Sequence, residues 1–68
     1  MDQGILTTRI ESDFVKGRPC WKVELTVGNV TSEKVWRFWY RRQADLFDRL
    51  VKNGIAPYIA ADRAVWES

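Results

Sequence analysis

Histidine is absent from the 68-residue chain, cysteine occurs once, proline twice and glycine four times. Each scarcity closes off a class of chemistry. Without imidazole there is no histidine base and no Ser-His or Cys-His nucleophile pair. Cys20 has no partner for an intrachain disulfide, and one thiol without histidine is too small a donor set for structural zinc. Glycines 4, 17, 28 and 54 lie too far apart to form a phosphate-cradling loop. No apolar run approaches the length of a membrane-spanning helix, so a membrane partner is not expected. The start, MDQGILTTRIE, carries Asp2 where a signal peptide would carry positive charge, and its apolar run is two residues. A cytoplasmic chain with its thiol reduced is the expectation.

The remaining carboxylates do not restore a catalytic inventory. Asp45 and Asp48 stand three residues apart, but Arg49 and Lys52 follow each by one helical turn, the pattern of solvated i,i+4 pairs. Cys20 precedes an apolar strand and reads as a packing residue. The sequence therefore predicts no enzyme, no cofactor and no metal.

Aromatic side chains are abundant: four Trp, two Tyr and three Phe. A chain of this mass folds to roughly 4,400 Å² of surface from roughly 11,600 Å² unfolded, enough for one small core. Without disulfides or metal, large aromatic side chains have to supply that core. A homodimer is a second remedy at this size and stays open. The whole chain, 1–68, reads as a single small domain.

Residues 21–27 alternate strictly, with Trp21, Val23, Leu25 and Val27 apolar and Lys22, Glu24 and Thr26 polar, the signature of a half-buried strand. Strands are expected at about 5–11, 20–27 and 34–41, with Ser12 to Pro19 as a connection. Residues 34–41 fit a strand, and they also fit a long helix beginning near Ser32. The density of Val, Trp, Phe and Tyr favours the strand. A two-residue turn at Gly28-Asn29 would set Val23 against Lys34. A six-residue loop sets Leu25 against Trp36, Val23 against Phe38 and Trp21 against Tyr40, and a four-residue loop keeps the same faces in a shifted register.

A helix is expected at about 43–53 from Ala44, Phe47, Leu50 and Val51, closed by Asn53-Gly54. Segment 55–68 is expected to hold a short second helix marked by Ile59, Ala60, Arg63 and Trp66. The fold class is α+β: a three-stranded antiparallel sheet packed on one helix in the order β-β-β-α, plus that C-terminal element. The expected core is Trp21, Val23, Leu25, Trp36, Phe38, Tyr40, Phe47, Leu50 and Val51.

In this arrangement Arg37, Trp39 and Arg41 point away from the helix, Arg42 stands at the strand end, and Lys22 and Arg9 border them. Interleaved Arg and Trp suits a protein-binding hot spot, and it equally suits phosphates and stacked bases. The formal net charge is only +2. Non-specific nucleic-acid affinity follows phosphate neutralisation, so protein recognition is placed first and nucleic-acid binding second. A small adaptor or inhibitor is the expected function. Its anchors would be Arg37, Trp39, Arg41, Arg42, Lys22 and Arg9, with Trp66 from the C-terminal segment, and nucleic-acid machinery is one candidate target. The Trp21-x-Val23-x-Leu25-x-Val27-Gly28 segment resembles a strand of the sheet-reading DNA-binding domains of plant AP2-type factors and of some integrase N-terminal arms. Such domains present Arg and Trp from the sheet to a groove. The likeness spans about thirty residues of binary patterning, implies fold alone, and carries no residue over.

Overall fold

A computed structural model of the chain describes residues 5–32 and 34–67. The elements run β1 (Leu6–Val15), β2 (Arg18–Val27), β3 (Val30–Thr31), β4 (Trp36–Phe38), α1 (Arg41–Lys52) and α2 (Pro57–Glu67). The sheet is antiparallel, with β2 between β1 on one side and β3 and β4 in succession on the other. With two helices beside it, the architecture is α+β as the sequence implies.

The first hairpin is longer than expected. Ser12 to Pro19 is no connection: β1 continues to Val15 and β2 begins at Arg18. Ten residue pairs run from Leu6 against Val27 to Val15 against Arg18. The turn is only Lys16-Gly17, both with positive φ, 52° and 79°. This is the turn geometry that matches strand twist in a two-residue hairpin. Pro19 is tolerated because Phe14 against Pro19 is a non-hydrogen-bonded pair of the hairpin. Its missing N–H would point toward the third strand position, beyond the end of β4.

The third strand position is broken in two. Val30 and Thr31 pair with Val27 and Thr26 across the Gly28-Asn29 turn. β4 then pairs Trp36 with Val23, Arg37 with Lys22 and Phe38 with Trp21. The two-residue turn therefore exists, but the register shifts by two residues before β4. The apolar faces match in the four-residue-loop register, not the six-residue one. Only three residues of 34–41 are strand, and Arg41 and Arg42 belong to the first turn of α1. A strand followed by a helix, not one long helix, occupies this segment.

α1 buries Ala44, Phe47 and Val51 against Val23, Leu25 and Phe38. The Phe47 ring lies 5.3 Å from Trp36 and 5.2 Å from Phe38. Gln43 reaches back from the first turn, its Oε1 accepting the Tyr40 N–H at 3.2 Å. Tyr40 itself is exposed at the helix start, not in the core: its backbone is the N-cap, so its ring projects beyond the sheet. At the other end Gly54 N–H donates to Val51 O and Ile55 N–H to Leu50 O. This is the Schellman closure expected of Asn53-Gly54-Ile55. Asp48 pairs with Lys52 at 3.2 Å, whereas Asp45 turns back to Arg41 at 3.1 Å and leaves Arg49. Asp48 also accepts a hydrogen bond from the Thr8 hydroxyl, tying α1 to β1.

α2 starts at Pro57, whose fixed φ and absent N–H suit a first helical turn. Its buried residues are Ala60 and Ala64, which allow close approach to α1. Of the expected landmarks, Ala60 faces inward, and Ile59 and Trp66 point outward. Cys20 is buried at the start of β2 beside Val15, Phe38 and Trp39, in line with a packing role.

Candidate functional site

Strand alternation puts Arg9, Glu11 and Asp13 of β1, Lys22 and Glu24 of β2, and Arg37 of β4 on the sheet face opposite α1. α2 packs on α1 and leaves that face open. The face is electrically compensated. Arg9 pairs with Glu11, Lys22 lies 3.4 Å from Glu11 and 4.0 Å from Glu24, and Arg37 Nε donates to Asp13 Oδ2 at 2.9 Å. Three cations meet three carboxylates over the middle of the face, and Arg18, of the same parity at its turn end, stands over Trp39 without a carboxylate partner among the described residues. The Arg37 guanidinium, with a backbone bond from Phe14, holds the Asp13 carboxyl below its ordinary value of 3.8.

Trp39 follows the end of β4 and is 47% exposed. It is covered by Arg18, whose guanidinium sits 4.6 Å from the ring centre, and not by the C-terminal segment. Nearby, Arg41 stacks over Trp21 at 5.0 Å and Arg42 over Tyr40 at 4.6 Å. The expected anchors thus divide among three places. Arg9, Lys22 and Arg37 lie on the open sheet face, and Trp39, with Arg18 over it, continues that face at its turn end and lines one pocket with Arg37 and Cys20. Arg41 and Arg42 lie at the start of α1, stacked on Trp21 and Tyr40. Trp66 stands apart on α2. Arg18 was missed because its ring partner is 21 residues away in sequence.

The third place is the outer face of α2. At helical spacing Tyr58, Ile59, Asp62, Val65 and Trp66 form one stripe, opposite Ala60 and Ala64. All four apolar members are exposed, Trp66 at 80% and Tyr58 at 69%. The polarity of the helix is thus reversed in size, with small side chains inside and large ones outside. The sequence signal was available in the Ala60/Ala64 spacing, but large residues are the usual marks of an inner face. Lys34 Nζ lies 5.0 Å from the Tyr58 ring, and Arg63 pairs with Glu67 at 2.9 Å. Glu67 raises the Arg63 pKa above its ordinary value through that bond.

Among the described residues no cluster of three or more His, Cys, Asp or Glu side chains could hold a metal ion, and no helix is long and apolar enough to cross a membrane. Compared with known protein families, with curated proteins and with solved structures, the chain matches none.

Proposed function

We propose that this chain is a small non-catalytic protein-binding module, an adaptor or inhibitor, that docks through the outer face of α2. The observation that carries the reading is the exposed Tyr58-Ile59-Val65-Trp66 stripe on a helix already anchored by Ala60 and Ala64. A contiguous apolar surface rimmed by polar groups is a mark of an interaction site, and an exposed Trp is a frequent hot-spot anchor. The occupant is a protein with an apolar groove for one helix, carrying a basic group opposite Asp62, the only charge within the stripe. The ion pairs of Arg9, Lys22 and Arg37, and the cation already stacked on Trp39, favour the α2 surface over the sheet face for protein recognition. A cytoplasmic setting, with Cys20 reduced, belongs to the same reading.

The second reading is nucleic-acid binding at the Arg18-Trp39 end. It is favoured by the three Arg-aromatic stacks and by Arg41 and Arg42 standing at the positive end of α1 without an acid in its first turn. It ranks second because each ring already carries a cation.

One experiment separates the two. The tagged native chain is purified with and without nuclease and its companions are identified by mass spectrometry. Trp66→Ala and Ile59→Asp are expected to release a nuclease-resistant protein partner while the circular dichroism spectrum is unchanged. Because Trp66 is exposed, its truncation should alter stability by no more than about 0.5 kcal/mol. Retention of the same partner by both folded variants overturns the docking surface. Nuclease-sensitive recovery, lost on Arg18→Ala, puts the second reading first.

A further inference from the structure

The hairpin leaves one long backbone edge open. Among the described residues β1 pairs only with β2, so its other side meets no strand. The two-residue turn fixes which groups face that side. Val15 and Arg18 close it as a hydrogen-bonded pair, so the odd residues of β1 direct their N–H and C=O groups toward β2. At the far end Gly28 N–H donates to Ile5 O at 3.3 Å, in agreement with that parity. The N–H and C=O groups of Leu6, Thr8, Ile10 and Ser12 therefore point outward, as does the C=O of Phe14, whose N–H bonds the Asp13 carboxylate. An unpaired edge of this length is a template for another strand.

We infer that the occupant is β1 of a second copy of this chain, antiparallel, about a two-fold axis through Ile10. Parity requires even residues to face even residues, so a two-fold axis must pass through a residue position. With the axis at Ile10, Arg9 faces Glu11 of the second copy and, by symmetry, Glu11 faces its Arg9, while Thr7 faces its Asp13. The neighbouring axes fail on charge. An axis at Arg9 sets Arg9 against itself, one at Glu11 sets Glu11 against itself, and one at Ser12 sets Glu11 against Asp13. Like charges directly opposite are destabilising and opposite charges stabilising. The Ile10 axis also gives nearly full overlap of Leu6–Val15, closing about eight backbone hydrogen bonds.

Packing on the helix-bearing face selects the same register. Phe14 is 66% exposed, because it lies on the core face of the hairpin near its tip. The Ile10 axis sets Phe14 opposite Leu6 of the second copy. Leu6 lines a shallow groove of about 380 Å³, with Leu25, Val51, Ile55 and Pro57 among its other walls. The pairing brings an uncovered ring to the rim of an apolar groove, twice by symmetry. Both helical layers fall on the same side of the joined sheet, since the axis runs perpendicular to it. The α2 stripe takes no part, so this interface stands independently of the proposed partner surface.

Light scattering over a concentration series, with amide hydrogen exchange on the same samples, tests the pairing. The mass is expected to rise from 8.0 kDa toward twice that value. Across the same series the amides of Leu6, Thr8, Ile10 and Ser12 should slow by about tenfold or more, while Thr7, Arg9, Glu11 and Asp13 hold a constant protection. Ser12→Pro removes an outward N–H without breaking a hairpin bond and should keep the chain monomeric, whereas Ser12→Ala should dimerise. Trp66→Ala should leave dimerisation unchanged, so loss of the α2 reading and loss of this one are distinct results. A mass that stays at 8.0 kDa at millimolar concentration overturns the inference. So does a dimer whose even-numbered amides gain no protection, which also decides the matter should Ser12→Pro fail to fold.

Discussion

The Asp13–Arg37 pair bridges the two outer positions of the sheet across β2, and it sets the character of the open face. In the sequence Asp13 resembles a loop residue, and Arg37 looks free to meet a phosphate. Neither property survives folding, because the ten-pair hairpin places Asp13 across β2 from Arg37 of β4. No local pattern announces a contact made 24 residues apart. The same holds for Arg18 over Trp39. The pair has a pH signature. Asp13 is held below 3.8, so its contribution to stability is complete above that value and is lost as pH falls through the lower folded-state pKa. Removing the guanidinium with Arg37→Gln should bring the Asp13 midpoint back toward 3.8 in a carboxyl-detected NMR titration. An unchanged midpoint would mean that the Phe14 N–H, not Arg37, holds the carboxylate.

Among the elements, β2, the start of α1's apolar face and its Gly54 closure were legible, because each rests on a local period or on a single residue's backbone preference. The hairpin turn was not. Lys16-Gly17 is an unusual two-residue turn, since Lys at φ 52° accepts a left-handed conformation that Asn or Gly adopts more easily. Flanked by Asp13 and Pro19, it reads as a loop. Lys16→Asn should therefore stabilise the protein by about 1 kcal/mol. Urea unfolding would show a raised midpoint with an unchanged slope, and a lowered midpoint would refute the strain argument. α2 was legible as a helix but not in its orientation, because Ala60 and Ala64 pack by their smallness. The break between β3 and β4 was also hidden: the apolar pattern constrains which face a residue takes, and a shift of two residues preserves every face.

For the whole molecule, the accessible surface is 4910 Å², against roughly 4,400 Å² for a typical chain of this mass. Exposed large side chains such as Phe14, Tyr58 and Trp66 contribute to this area, and few large side chains are fully buried. Phe47 and Val23 are the largest of these. Stability at this length is of order 3–10 kcal/mol. Phe47→Ala, at about 3–5 kcal/mol, should bring the chain to or past the point of unfolding, read as loss of the near-ultraviolet dichroism of Trp36 beside it. Retention of that signal would show that the sheet holds together without the ring. Burial of Cys20 gives the same molecule a built-in clock. As the lone thiol, 3% exposed between Trp39 and the hairpin end, it can meet a bulky disulfide reagent only when that end of the sheet opens. With reagent in excess, the labelling rate of the unmodified chain follows the opening rate; at low reagent it follows the open population. The native sequence thus reports how often its own sheet comes apart, with no probe added.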